Sequence, residues 1–207
     1  MRAQSIADLD ETTSARPVTR TLTIALAVLA GLCWAGALAM LFLADISMQQ
    51  QAFAPSRVLF YALVIAAALL TWAPMQVRLE MPGLVLEGLV GSFLLLYTIA
   101  FVPAPKSWLL SPPDAPVYAL LAGALYLTGT AIALPFVAAI GSHFFRQRAR
   151  RFDKRRTRRQ ARECGLALAL LVVLAGLRVL TPLGVLLVVM ILVVAELMFL
   201  SFVEAET

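Results

Sequence analysis

Apolar and polar residues do not alternate finely along this chain; they come in blocks. Long apolar stretches occupy 21–43, 58–73, 83–102, 117–145, 166–180 and 183–203, with short polar segments between them. A helix crossing the hydrocarbon core needs about 20 residues, in a range of about 17–25. The third and sixth stretches meet that length directly. The second and fifth reach it once flanking residues that can snorkel are included. The fourth is long and contains Pro135, so a tilt or a kink near that proline is expected. The predicted spans are therefore 21–43, 57–73, 83–102, 117–145, 164–180 and 182–203. The fold expected is all-α, a polytopic integral membrane protein built as a bundle of about six transmembrane helices. A re-entrant hairpin of the last two is the competing arrangement.

The segments between the spans are too short for a separate domain. Residues 1–20 are polar and read as an N-terminal tail. The first apolar run contains Ala37, Leu38 and Ala39, a spacing that resembles a signal-peptidase site. It stays apolar beyond them and exceeds the apolar core of a signal peptide, about 7–15 residues, so an uncleaved span is expected. The 103–116 linker is rich in proline. At the last turn, Thr181 suits a helix cap and Pro182 a first helical turn.

Composition strengthens this reading. The chain is 61% hydrophobic and 14% charged, against roughly 45–50% and about 25% in soluble domains. Its net charge of +5 is not spread evenly. The segment 146–163 holds ten basic residues: Arg146, Arg148, Arg150, Arg151, Lys154, Arg155, Arg156, Arg158, Arg159 and Arg162. Asp153 and Glu163 are its only acids, so the rest of the chain is mildly acidic. By the positive-inside rule this segment is a cytoplasmic loop. The N-terminal tail and residues 204–207 then lie in the cytoplasm too, as expected for a multi-pass protein of the plasma (inner) membrane. Fewer charges would set that orientation. The excess points to contact with anionic phospholipid headgroups or an acidic partner. Its arginines fall on all sides of a helical projection, so a solvated segment is expected rather than a helix lying in the membrane. Nucleic acid is not an expected partner, because only Phe152 interleaves the charges and base stacking needs aromatic platforms.

Three charges fall inside apolar runs: Glu87, Glu196 and Arg178. Ionisable groups at such positions are functional candidates by default. At 1.5 Å per residue, Glu87 lies roughly 6 Å and Glu196 roughly 10 Å inside the cytoplasmic boundary. Pairing with Arg146, Arg162 or His143 is the expected arrangement; a cation or proton site is the alternative. Arg178 is expected to snorkel to the opposite face.

Small residues repeat every four positions at Ala27, Gly31, Ala35 and Ala39, at Gly88 and Ser92, and at Ala119 and Gly123. Such stripes let helices approach closely, within the protein or against another membrane protein or a second copy. Trp72, Trp108, Tyr97 and Tyr118 suit interfacial belts, and Trp34 the core. Cys33 and Cys164 are expected as free thiols, and one histidine, His143, supports neither haem nor metal. No cofactor is expected. Nucleophile elbows, phosphate loops and zinc-protease motifs are missing, so an enzyme is not expected. A non-catalytic accessory, assembly or scaffold subunit is the leading reading. A small-solute or ion transporter using Glu87 and Glu196 is second, and a lipid-handling enzyme a distant third.

Overall fold

A computed structural model describes residues 4–44, 46, 53–144 and 154–205 of the chain. Among them are six α-helices and no strand: α1 (Gln4–Leu43), α2 (Pro55–Leu79), α3 (Leu84–Phe101), α4 (Ala115–Phe144), α5 (Lys154–Gly176) and α6 (Pro182–Ala205). Four contain apolar stretches long enough to cross a membrane: Thr21–Leu43, Pro55–Leu79, Leu84–Phe101 and Ala115–Gly141. A shorter one, Pro182–Met198, lies in α6. The chain is thus an all-α, polytopic membrane protein of the helical-bundle class.

Several boundaries differ from the sequence reading: α2 continues through Pro74 to Leu79, into the linker expected after residue 73, and α5 ends at Gly176 rather than 180. The helical backbone of α1 begins at Gln4, within the segment expected as a tail. The α5 helix begins at Lys154, within the segment expected as a solvated loop. Arg, Lys, Gln and Ala dominate residues 154–163, and all are strong helix formers. Arg159 and Glu163 add an i,i+4 ion pair at 3.5 Å. Residues 145–153, including Arg146, Arg148, Arg150 and Arg151, lie outside the described part.

The chain separates into two compact units, Met1–Thr71 and Trp72–Thr207. In the first, Trp34 Nε1 donates to the Thr71 hydroxyl at 3.0 Å. That hydroxyl donates in turn to the Ala67 carbonyl at 2.8 Å. The bond satisfies an indole N–H for which lipid offers no partner. Buried Phe60, Val64, Ala67 and Ala68 recur at helical spacing on α2.

The expected stripe on α1 is not an internal seam. Ala27, Gly31, Ala35 and Ala39 are all exposed, while Ala30 and Ala37 are buried. Nothing approaches within 4 Å of a Cβ placed at Gly31. The spacing of small residues cannot say which of several helix faces a neighbour selects.

In the second unit, α4 packs on both α3 and α5. Glycines mark the crossings. A Cβ at Gly91 would sit 2.6 Å from the Thr128 backbone nitrogen. One at Gly165 would sit 2.5 Å from the Tyr126 carbonyl oxygen. One at Gly129 would come to 3.3 Å from the Gly165 Cα. Backbones approach closely only because side chains are missing there, and such packing is a main source of helix association in lipid. Gly88 and Ser92 form the expected seam. Trp72 stacks against Gly88, and its Nε1 lies 3.4 Å from the Ser92 hydroxyl. Trp72 is therefore buried in packing rather than placed in an interfacial belt. Ala119 and Gly123, by contrast, are exposed.

Helix ends are well determined. Thr181 Oγ1 accepts from the Gly184 N–H at 3.0 Å, capping α6 ahead of Pro182 as expected. The α2 and α5 helices both end with a left-handed residue that is not glycine: Glu80 (φ 51°) and Arg178 (φ 58°). The bonds Met81 N–H to Gln76 carbonyl and Glu80 N–H to Val77 carbonyl, both 3.3 Å, make the first a Schellman motif. Val179 to Leu174 and Arg178 to Ala175, both 3.0 Å, make the second. α3 has no side-chain cap of its own; Gln76 Oε1 on α2 accepts from the Val85 N–H at 3.0 Å.

The proline-rich linker before α4 is ordered by Asp114. Its Oδ2 accepts from the Ser107 N–H at 2.7 Å, the Lys106 N–H at 3.1 Å and the Ser107 hydroxyl. Hydrogen bonds from Ser107, with a smaller contribution from Lys106, hold the Asp114 carboxyl below its ordinary range. Tyr118 OH donates to the Ser107 carbonyl at 3.0 Å, and the Leu109 N–H donates to the Gly176 carbonyl at 2.9 Å. The linker is thereby tied to the ends of α4 and α5.

Candidate functional site

The candidate charges converge on the first turns of α5. Residues four apart share one helix face, and adjacent residues are about 100° apart. Arg158 and Arg162 therefore point one way, and Arg159 and Glu163 another. The structure uses both faces.

On the first face, Arg158 Nη2 donates to Glu87 Oε1 of α3 at 3.0 Å, and Arg162 Nη2 lies 3.8 Å from the same oxygen. Glu87 occupies the first turn of α3, where the helix macrodipole also favours a carboxylate. Its other oxygen, Oε2, is buried without a hydrogen-bond partner.

On the second face, Arg159 Nη2 donates to both oxygens of Glu196 on α6, at 2.9 and 2.8 Å. Gln160 Nε2 donates to Glu196 Oε1 at 2.8 Å. Arg159 Nε lies 3.5 Å from Glu163 Oε1, so one guanidinium serves two carboxylates. Burial first, and the Glu196 carboxyl second, push the Glu163 carboxyl above its ordinary range despite Arg159.

Outside these two faces, Lys154 Nζ bonds Glu80 Oε2 at 2.7 Å on the surface. That bond, reinforced by the ammonium charge, lowers the Glu80 carboxyl.

The sequence marked Glu87 and Glu196 as intramembrane charges and offered Arg146, Arg162 or His143 as partners for the two; of these, the structure places Arg162 at 3.8 Å from Glu87. The sequence did not identify Arg158 and Arg159 as the nearest partners, nor Glu163 and Gln160 as members. The i,i+4 recurrence of 158/162 and 159/163 was the available signal, hidden once the segment was read as a loop. Among the described residues, Glu87 and Glu196 do not share a guanidinium. The His143 side chain and Arg146 lie outside what is described. Arg178 is exposed just beyond the far end of α5.

Cys33 and Cys164 are free thiols. Among the described residues no three His, Cys, Asp or Glu side chains cluster to hold a metal. Chemically, the site can join α3 and α6 to α5 through charge-assisted hydrogen bonds. No family model, curated protein or solved structure matches the chain.

Proposed function

We propose that the chain is a non-catalytic multi-pass protein of the plasma (inner) membrane, an accessory, assembly or scaffold subunit with both termini cytoplasmic. The observation that carries this reading is the engagement of Glu87 and Glu196 by Arg158 and Arg159. A carboxylate on a transport path must exchange partners, whereas here Arg158 bonds one oxygen of Glu87, and Arg159 Nη2 with Gln160 Nε2 engages both oxygens of Glu196, charge-assisted contacts that favour one arrangement. In this reading the ion pairs brace α3 and α6 against α5. In the same reading the cations Arg146, Arg148, Arg150 and Arg151 serve anionic lipid headgroups or an acidic partner protein. Each basic residue near an anionic surface is worth about 1 kcal/mol. Arg158 and Arg159, engaged internally, contribute less to that contact.

Native mass spectrometry of the protein, released gently from its own membrane, tests the reading. A stoichiometric partner protein is the expected result. Recovery alone, together with proton or cation flux in proteoliposomes that Glu87→Gln or Glu196→Gln abolishes, overturns it. One observation favours that second, transport reading: the buried Oε2 of Glu87 has no hydrogen-bond partner.

A further inference from the structure

The bonds between α5 and α6 are unequal in kind to those between α4 and α5. Glycine-mediated backbone contact joins α4 to α5 at Gly129 and Gly165. The α6 helix instead presents large exposed apolar side chains, among them Leu186, Met190 and Leu197, and packs on α5 much less extensively. Its polar attachment is the group Arg159, Gln160, Glu163 and Glu196.

That group has an unbalanced charge. With both carboxyls ionised, two negative charges share the single positive charge of Arg159. Glu163 and Glu196 side chains are only 28% and 17% exposed, so water screens their repulsion poorly. A proton placed between them converts that repulsion into a carboxyl–carboxylate hydrogen bond, and leaves one arginine facing one carboxylate.

The geometry points to a proton-binding latch, formed by Glu163, Glu196, Arg159 and Gln160, that fastens α6 to α5 when it holds one proton. The proton leaves to water from the Glu163 carboxyl and returns the same way, so no co-reactant is needed. The upward displacement of Glu163, caused by burial and by Glu196, agrees with this.

The sign follows directly. Glu163 titrates higher folded than unfolded, so its contribution is complete below its unfolded pKa and is lost as pH rises through the folded value. The added hold from Glu163 is present on the acid side of its raised folded pKa and is lost above it, while Arg159 and Gln160 keep their bonds to Glu196.

Among the described residues, other ionisable groups near the latch do not supply the missing positive charge. On α5, Arg158 and Arg162 face Glu87 of α3, and Lys154 bonds Glu80. Arg155 and Arg156 make interactions of their own. Cys164 adjoins Glu163 as a free thiol. Tyr118 and Tyr126 are the ionisable groups of α4 whose side chains are described, and Glu196 is that of α6.

The test is an infrared pH titration of the full-length protein in lipid nanodiscs, following protonated carboxylic acid. Spin labels on Cys164 and on Ile191→Cys, in a Cys33→Ser background, report the α5–α6 separation over the same pH range. The expected result is a carboxylic-acid band that titrates above the ordinary glutamate value of about 4.3. The labels should separate as that band disappears. Glu163→Gln should abolish the band and keep the labels close at every pH. Glu196→Gln should move the remaining titration downward, since Arg159 then serves Glu163 alone. Arg159→Lys keeps the charge and should retain the pH response. A wild-type band confined to the ordinary range overturns the latch. So does a label separation that ignores pH, or a band that survives Glu163→Gln.

Discussion

Glu87 on α3 and Arg158 on α5 meet at 3.0 Å, although 71 positions separate them in the chain. Both groups are largely shielded from water, their side chains being 20% and 30% exposed. In such a setting the pair matters less for what it adds than for what its loss leaves behind. A solitary buried charge is costly, while removing both charges together is far cheaper.

Glu87→Gln and Arg158→Gln should therefore each destabilise the protein, and the double variant should lose less than their sum. A coupling energy of about 0.5–3 kcal/mol is expected for groups in direct contact. Reversible unfolding in mixed detergent micelles measures it. Strict additivity would show that the two residues do not depend on one another.

The helix crossings make a steric prediction. An added methyl at Gly165 meets the Tyr126 carbonyl at 2.5 Å and also the Thr130 hydroxyl. Backbone cannot step aside as a flexible side chain can. Gly165→Ala should cost about 1–3 kcal/mol by overpacking. Gly123→Ala meets nothing within 4 Å, and should be neutral or gain about 0.5–1 kcal/mol from better helix propensity. Melting temperatures of the two purified variants, compared side by side, separate the outcomes.

Arg178 tests whether a charge at a helix end is held for its side chain or despite its backbone. It occupies the left-handed position of a Schellman motif at φ 58°. For a residue with a Cβ, that conformation costs roughly 1–2 kcal/mol. Arg178→Gly relieves the strain and should raise the melting temperature. Arg178→Val, β-branched at the same position, should lower it. A fall in both variants would mean that the guanidinium contributes more than the backbone loses.

The linker before α4 should respond to acid. Asp114 is held below its ordinary pKa by its hydrogen bonds from Ser107. A depressed acid contributes stability above its unfolded pKa, about 3.9. That contribution is lost as pH falls through the lower folded value. Amide exchange at Lys106 and Ser107, corrected for intrinsic rates, should accelerate only in strong acid. Asp114→Asn should show fast exchange at every pH.

The helical class and the four long apolar helices were legible in the chain because lipid imposes a length and a composition on every crossing segment. The turn at Thr181 and Pro182 was legible for a local reason: a cap and a fixed φ act within a few residues. The need of Glu87 and Glu196 for partners was legible too, since an unpaired carboxylate is costly inside apolar surroundings. Which arginine answered which glutamate was not. That choice depends on α5 starting at Lys154 and presenting positions 158 and 159 about 100° apart, towards two different helices. Likewise, spacing alone marked small-residue stripes on three helices. Only the packed structure selected Gly88 and Ser92, added Gly91, Gly129 and Gly165, and left Gly31 and Gly123 open. Periodicity within one helix defines its faces. The neighbour that each face meets is set by contacts distant in sequence, and those belong to the tertiary structure.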